Sequence, residues 1–171
     1  MRLQLDRFTS PIGEIRLVTD AGGRLAALDL TDYEARNLAL LRRHWGDAEL
    51  AEGGAPRAVT EALTAYFDGD LAAIDRLEVK TNGTAFQEAA WAALRAIPAG
   101  ATRSYAQQAV AMGKPKAMRA VGLANGANPV AIVTPCHRVI GADGGLTGYG
   151  GGLHRKRWLL EHEGALARLA A

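Results

Sequence analysis

Three short segments near the N-terminus alternate or cluster apolar residues in a way that is typical of β-strands. They are "LQLDRF" at 3–8, "EIRLVTD" at 14–20 and "RLAALDL" at 24–30. Two segments with helical spacing follow, at 32–46 and 56–69, and each ends at a glycine. We therefore expect residues 1–80 to form a small β-meander with helices. This stretch has no metal-ligand cluster, phosphate loop or nucleophile pattern, so we interpret it as a scaffold.

From Thr84 onward the pattern changes to short helices with clear start and stop signals. Helices are predicted within 84–100, 104–113 and 115–126, and the first two open with capping boxes, Thr84…Gln87 and Ser104…Gln107. Short helices with tight connections are typical of a helix-turn-helix, in which the third helix takes the recognition position. An unrelated helical bundle would show the same periodicity. We expect a second domain over residues 81–171.

The third predicted helix has an unusual composition for a recognition helix. Its segment "RAVGLANG" offers one long side chain for contacts, Arg119, among small residues such as Ala120, Gly122 and Ala124. A helix that reads bases normally presents several Arg, Asn or Gln side chains to the major groove. Small residues instead allow close approach to DNA, as in minor-groove binding with one projecting side chain. Close helix–helix packing is the alternative explanation.

The charge of the chain is divided unevenly between its two halves. The 171 residues carry a net charge of +2. Residues 1–80 hold 10 Lys/Arg against 14 Asp/Glu, a net −4, whereas residues 81–171 hold 10 against 4, a net +6. A basic C-terminal half indicates a polyanionic partner, although ordinary surface charge gives the same count.

The sequence also limits the cellular setting. No apolar stretch is long enough for a membrane helix, and the N-terminus lacks the apolar block of a signal peptide. A single cysteine excludes an intramolecular disulfide, which favours a reducing compartment. We expect a cytoplasmic protein with no membrane association. We expect a monomer, and leave cooperative binding along DNA open.

That single cysteine, Cys136, lies in "NPVAIVTPCHRV" at 128–139. The run "VAIV" predicts a buried strand or extended segment, and Pro135 restricts the backbone just before the thiol. His137 and Arg138 follow, and protonatable or positive neighbours favour the reactive thiolate. On an extended segment His137 would point away from the sulfur, so it would act through a bound water. An inert buried cysteine is the competing interpretation.

A glycine-rich loop and a basic helix follow the cysteine. Residues 141–152, "GADGGLTGYGGG", contain seven glycines, which allow the backbone to approach a ligand closely. Tyr149 is the aromatic residue of this loop and can stack on a planar base. A flexible hairpin tip is the alternative. The helix "HRKRWLLEHEG" places Arg155, Lys156 and Arg157 beside the loop, where we expect phosphate contacts.

Taken together, these segments resemble the O6-alkylguanine-DNA alkyltransferases, also called methylated-DNA–protein-cysteine methyltransferases. The resemblance rests on "PCHRV", the preceding "NPV", and the following "TGYGGGL" and "RKRWLLEHEG". It is densest from Thr84 to Gly164, and the N-terminal half agrees in length and strand order. It implies an α/β (α+β) protein of two domains. The first is a ribonuclease-H-like small sheet with helices, and the second is a winged helix-turn-helix.

The resemblance also implies an activity and site roles. The reaction would be direct-reversal DNA repair, a single-turnover transfer of the alkyl group from O6-alkylguanine, or less well O4-alkylthymine, with no cofactor. Cys136 would accept the alkyl group, His137 would take the thiol proton through a water, and Glu163 would orient His137. Asn128 would brace the turn after the recognition helix, and Tyr105 would help rotate the nucleotide out of duplex DNA and protonate the leaving guanine.

Binding roles are implied in the same way. Arg119 would enter the minor groove and fill the vacated stack. The expected DNA surface is completed by Ser104, Tyr105, Ala120, Gly122 and Ala124. Val139, through its backbone, and the side chain of Tyr149 would line the pocket for the flipped base, with Gly150 beside them.

Two features of the family vary among its members, and the sequence bears on both. Some relatives hold a structural zinc in the N-terminal domain, but here that half has no cysteine and only His44, so we expect no metal. Others carry tryptophan in place of the cysteine and only sense damage, and Cys136 argues against that. The glycines at 150–152 suggest a pocket that accepts groups larger than methyl. Comparing repair rates for methyl and benzyl adducts tests this.

Two other functions fit part of the pattern. A winged-helix regulator with a redox- or alkylation-sensing cysteine would explain the basic half and the thiol. Such a regulator needs sequence-specific DNA binding, which the small side chains of the third predicted helix disfavour. A cysteine hydrolase would need an oxyanion site near the thiol and would turn over repeatedly.

Overall fold

The computed structural model describes residues 1–166, which divide into two compact units. The first comprises Met1–Asn82 and Pro129–Val133, and the second comprises Gly83–Asn128 and the chain from Thr134 onward. The expected domain boundary after residue 80 lies close to Asn82, where the chain first passes from one unit to the other. A single boundary is nevertheless insufficient, because residues 129–133 return to the first unit. Within the described residues, no helix has the length and apolar character needed to cross a membrane.

The first unit is built on a four-stranded sheet in the order β3-β2-β1-β4. Its strands are β1 (Arg2–Ser10), β2 (Gly13–Thr19), β3 (Leu25–Leu30) and β4 (Glu49–Glu52). β1, β2 and β3 pair antiparallel in chain order, whereas β4 pairs parallel with β1. The three predicted strands are confirmed. The fourth was not predicted.

Two helices accompany this sheet, α1 (Glu34–Trp45) and α2 (Arg57–Phe67), together with 3-10 turns at Thr31–Tyr33 and Ala73–Arg76. All six residues of β3 are buried. One core cluster combines strand and α1 side chains: Leu3, Leu5, Val18, Ala26, Ala27 and Leu41. Each large apolar side chain buried in this way contributes about 1.5–3 kcal/mol to folding.

The α-helices of the second unit that are described in full are α3 (Ala85–Arg95), α4 (Tyr105–Ala111), α5 (Met118–Gly126) and α6 (Leu153–His162). Two residue pairs form a short parallel ladder between β5 (Arg103–Ser104) and β6 (Val139–Ile140). Both predicted capping boxes are confirmed. The hydroxyl of Thr84 accepts from the Gln87 amide at 3.2 Å, and that of Ser104 accepts from the Gln107 amide at 3.1 Å. These caps explain why α3 and α4 begin where the sequence predicts.

The core of the second unit lies beneath the cysteine. Trp91, Leu94, Ile97 and Val139 form a buried cluster, and Cys136 packs against it. The indole of Trp91 donates to the carbonyl of Ala124 at 2.8 Å, which ties α3 to α5. A reciprocal pair of amide hydrogen bonds between Gln108 and Asn125, at 3.0 and 2.7 Å, ties α4 to α5.

The segment before the cysteine differs from the sequence-based prediction. Val130 forms a single parallel bridge with Leu28, so only the start of "VAIV" is strand-like. Residues 131–133 then form a turn, and Ile132 has a φ of +70°. Positive φ is rare for a β-branched residue. The expectation of an extended run is therefore wrong beyond Val130.

Candidate active site

Cys136 opens a 3-10 turn, Cys136–Arg138, that leads directly into β6. Its side chain is half-buried, and its amide donates to the carbonyl of Thr134 at 2.9 Å. The buried side-chain amide of Asn128 donates to the same carbonyl at 2.8 Å. Asn128 lies two residues after the end of α5. The Thr134 carbonyl therefore links the segment that follows α5 to the turn that carries the thiol.

His137 lies inside the unit, beside a carboxylate that is distant in the sequence. Its side chain is fully buried, and Nε2 lies 2.7 Å from Oε1 of Glu163. Within residues 1–166, Nδ1 has no hydrogen-bond partner. The ring also makes an edge contact with Tyr149, with centroids 6.5 Å apart. Because Cys136 and His137 share a 3-10 turn, the expected extended geometry of this pair is wrong.

Arg138 is a member of this site that the sequence did not reveal. Its guanidinium donates two hydrogen bonds to Glu163, from Nε to Oε2 and from Nη2 to Oε1, both 2.9 Å long. Nη1 donates to the carbonyl of Ile97 at 2.6 Å. We expected Arg138 to act as a positive neighbour of the thiol, but the structure commits it to Glu163. A two-pronged arginine–carboxylate pair fixes orientation as well as charge.

The buried charges around Glu163 determine its ionisation. Burial alone would raise the pKa of Glu163, but His137 and Arg138 together outweigh it and hold that pKa below its usual range. Burial lowers the pKa of His137, and the attraction of Glu163 offsets this only in part. The resting site therefore holds a carboxylate, a guanidinium and a neutral imidazole, which is available to accept a proton.

The buried imidazole makes folding stability pH-dependent. Since the pKa of His137 is lowered in the fold, the unfolded chain binds an extra proton below the ordinary value of about 6.5. Stability should fall by about 1 kcal/mol per pH unit below that value. Urea unfolding of the wild type and His137→Gln between pH 7.5 and 5.5 measures this. An equal pH slope in both would contradict the prediction, and exposed His154→Gln is the matched control.

Lys156 also differs from its expected role. It is fully buried, and its ammonium donates to the carbonyls of Val139 at 2.6 Å and Thr147 at 2.8 Å, so the predicted phosphate contact is wrong. Burial lowers its pKa to about 8, while the charge of Cys136 acts in the opposite direction. Arg155 is half-buried and donates to the Gly151 carbonyl, which leaves Arg157 as the exposed member of the basic run.

We expect Lys156 to support the thiolate of Cys136. Lys156→Met removes the nearby positive charge, so the rate at which iodoacetamide modifies Cys136 should fall about tenfold at pH 7. Because the ammonium is lost above a pKa of about 8, the difference from wild type should shrink above that pH. Arg157→Met is the matched control. A pH-independent difference, or none, would rule out the electrostatic role.

A cavity of about 320 Å³ opens beside the cysteine. Its lining comprises Tyr105, Gly122, Asn125, Gly126, Cys136, Gly148, Tyr149 and Gly150. The hydroxyl of Tyr105 donates to the carbonyl of Thr147 at 3.4 Å, which connects α4 to the glycine loop. Val139 is not among the lining residues. Its side chain is buried in the core cluster and its carbonyl accepts from Lys156. The expected contact of its backbone with the flipped base stays a prediction.

The helix α5 has one buried and one exposed face. Arg119 and Ala120 are exposed and Gly122 is half-buried, as a DNA-facing surface requires. Ala124 is 3% exposed and lies on the buried face with its carbonyl bonded to Trp91. Its expected place on the DNA surface is therefore wrong. Ser104 is half-buried, and its hydroxyl caps α4.

No metal centre is evident in the part of the chain that the structure describes. Residues 1–166 contain no group of three or more His, Cys, Asp or Glu side chains placed to hold an ion. The His137–Glu163 pair is engaged internally and with Arg138.

Comparison with known proteins places this arrangement in a family. A family model described as the DNA binding domain of 6-O-methylguanine DNA methyltransferase matches residues 85–165. The methylated-DNA–protein-cysteine methyltransferase of Salmonella typhimurium is 48% identical over 168 residues, which cover 97% of this chain and 98% of that protein. The protein of the same name from Mycolicibacterium paratuberculosis is 54% identical over 154 residues, covering 90% and 88%.

Solved structures agree in fold. The crystal structure of Mycobacterium tuberculosis OGT in complex with DNA has a TM-score of 0.79 at 42% identity, covering 95% of this chain and 93% of that one. O6-methylguanine-DNA methyltransferase from Pyrococcus kodakaraensis has a TM-score of 0.74 at 26% identity, covering 95% and 99%. On this evidence the chain belongs to the methylated-DNA–protein-cysteine methyltransferase family.

Proposed function

We propose that this chain repairs alkylated DNA by direct reversal, moving the alkyl group from O6 of guanine onto Cys136. One observation carries the proposal. The single thiol of the chain borders a cavity, beside a buried His137–Glu163 pair in which Nδ1 of the imidazole has no hydrogen-bond partner among residues 1–166. A nucleophile next to a base that is oriented by a third group is the arrangement that covalent catalysis needs.

The reaction balances with the residues at hand. The thiol proton passes to His137 through a water, which requires a free imidazole nitrogen such as Nδ1. The thiolate attacks the alkyl carbon in line with the departing oxygen, so the C–S bond forms as the C–O6 bond breaks. The electron pair stays on guanine, which is protonated by Tyr105 at the cavity wall and leaves as the normal base. Glu163 balances the imidazolium that forms.

The product explains why each molecule acts once. A thioether is not reversed by thiol–disulfide exchange, and the sequence offers no second cysteine to displace the alkyl group. The chemistry requires no cofactor.

The target carbon is buried in duplex DNA, so the nucleotide must rotate out of the stack to reach Cys136. We propose that α4 and α5 form a winged helix-turn-helix with β5 and β6, and that Arg119 fills the vacated space from the minor groove. Arg119 is exposed, and Gly122 lies on the same helix at the cavity wall. The first unit would be the ribonuclease-H-like scaffold, and the protein would act as a monomer in the cytoplasm.

Arg119→Ala tests the flipping role. Since the arginine would compensate for an unstacked base pair, its loss should slow transfer from duplex O6-methylguanine at least about tenfold. Transfer from free O6-benzylguanine should be unchanged, because that base needs no rotation out of a duplex. Arg43→Ala, which removes an exposed arginine on α1 of the first unit, is the matched control. Equal losses on both substrates would refute the flipping role.

The reaction itself is tested by incubating the protein with duplex DNA that carries radiolabelled O6-methylguanine. Label should move to the protein in a form that survives denaturation and reduction. Label that stays on the DNA would overturn the proposal, and label released as methanol would indicate hydrolysis.

A further inference from the structure

Leu123 is a large apolar side chain left in solvent on α5, a helix that also exposes Met118 and Arg119 near its start. Leu123 is 73% exposed. Within residues 1–166, Met1 is the only large hydrophobic residue with a higher exposed fraction, 83%. Single apolar residues are common on protein surfaces, so exposure alone carries little weight. The exposure of Leu123 is informative because of where this residue lies on α5.

That position is on the outward face of α5, one turn after Arg119. Spacings of four and seven residues place Arg119, Leu123 and Gly126 on a common face, and all three are exposed. The opposite face, with Val121, Ala124 and Asn125, is buried.

The same side chain also stands beside the cavity of Cys136. Gly122 and Gly126, which precede and follow Leu123 on the helix, both line that cavity. A Cβ added at Gly122 would lie 3.9 Å from the ring of Tyr105, another lining residue. Leu123 therefore marks the rim of the cavity on the α5 side.

Charge identifies the class of partner that covers this rim. No acidic residue occurs between Glu88 and Asp143, whereas this stretch contains six Lys/Arg. Three of them, Lys114, Lys116 and Arg119, are exposed at or just before the start of α5. A purely apolar partner would leave the charges of these side chains without counterions or hydrogen-bond partners. Duplex DNA satisfies both features, because its phosphates attract the lysines and its minor groove offers apolar sugar edges and base steps.

We propose that Leu123 is a DNA-contacting residue that presses on the sugars and base step next to the rotated nucleotide in the minor groove. This inference rests on the proposed function. Leu123 stabilises the opened duplex alongside Arg119 and takes no part in the chemistry at Cys136. Its effect is confined to duplex substrates, and it is insensitive to salt because no charge is involved.

The test compares Leu123→Ala and Leu123→Met with wild type. Transfer from limiting duplex O6-methylguanine should fall about fivefold or more in Leu123→Ala, because an apolar contact of several methyl and methylene groups is lost. Leu123→Met retains an apolar chain and should stay within about twofold of wild type. Val110→Ala, which truncates a 63% exposed residue on α4, is the matched control. Free O6-benzylguanine should react equally with all four proteins.

Two results would overturn this inference while leaving the proposed function intact. One is an unchanged duplex rate in Leu123→Ala. The other is an equal loss on duplex and free base, which would indicate a disturbed site instead of a lost DNA contact. A wild type that acquires no adduct from either substrate would instead overturn the proposed function, and this inference with it.

Discussion

Replacing Cys136 with serine is expected to abolish alkyl transfer while leaving DNA binding within about threefold of wild type. A serine hydroxyl is a far weaker nucleophile than a thiolate near neutral pH, and His137 alone cannot compensate. The substitution nearly preserves side-chain volume, so the half-buried position against the Trp91 cluster should remain packed. Radiolabel counting on denatured protein measures transfer, and gel shift on duplex DNA measures binding.

The same variant provides a strict control, because Cys136 is the only cysteine in the chain. No second thiol can take over the reaction. Label on Cys136→Ser protein would therefore contradict the account directly, and a joint loss of binding and transfer would indicate misfolding instead of a missing nucleophile.

Glu163→Gln is expected to be the most damaging substitution for stability in the site. Glu163 accepts two hydrogen bonds from buried Arg138 and one interaction from buried His137. Removing its charge leaves a guanidinium uncompensated inside the protein, which costs about 3–5 kcal/mol. Urea unfolding at pH 7.5 measures the loss, and failure to accumulate as soluble protein agrees with it. Any folded fraction should transfer the alkyl group at least about tenfold more slowly.

Glu161→Gln is the matched control for this prediction. Glu161 is two residues away, is exposed, and forms a 3.8 Å pair with exposed Arg157. Such pairs contribute about 0–1 kcal/mol. If the two variants unfolded at the same urea concentration, the buried network would carry none of the stability assigned to it.

Local signals predicted the elements that depend on local chemistry. The capping boxes at Thr84 and Ser104 fixed the starts of α3 and α4, because the side chain and backbone involved are three residues apart. Strand β4 was not predicted because "ELAE" is short, carries charges at both ends and has no buried residue. What identifies β4 as a strand is its parallel pairing with β1, which is distant from it in the sequence.

Apolar runs and charge runs were less informative about conformation and burial. All four residues of "VAIV" are apolar, which predicts an extended segment, but apolar character indicates only burial, and the chain turns at Ile132. The run "RKR" predicts a phosphate-binding surface. Lys156 lies inside the protein because distant carbonyls of the glycine loop and β6 satisfy its ammonium. No local sequence signal encodes those partners.

The chemistry of the site was more predictable than its full membership. The resemblance implied that Glu163 orients His137, and the structure brings the two within 2.7 Å. The hydrogen bond from Arg138 to the same carboxylate is not predicted by the sequence, because a basic residue next to a cysteine can serve several different roles. The sequence does not distinguish Leu123 from other leucines. Its exposure on α5 becomes evident only in the three-dimensional structure.

Single transfer to Cys136 is tested most directly by the intact mass of the protein after titration with duplex DNA containing O6-methylguanine. We expect a gain of one CH2 unit per molecule, mapped to the peptide with Cys136, that saturates at one equivalent of lesion and is not reversed by reductant. Continued loss of lesion beyond one equivalent, or a methyl group mapped to any other residue, would contradict it.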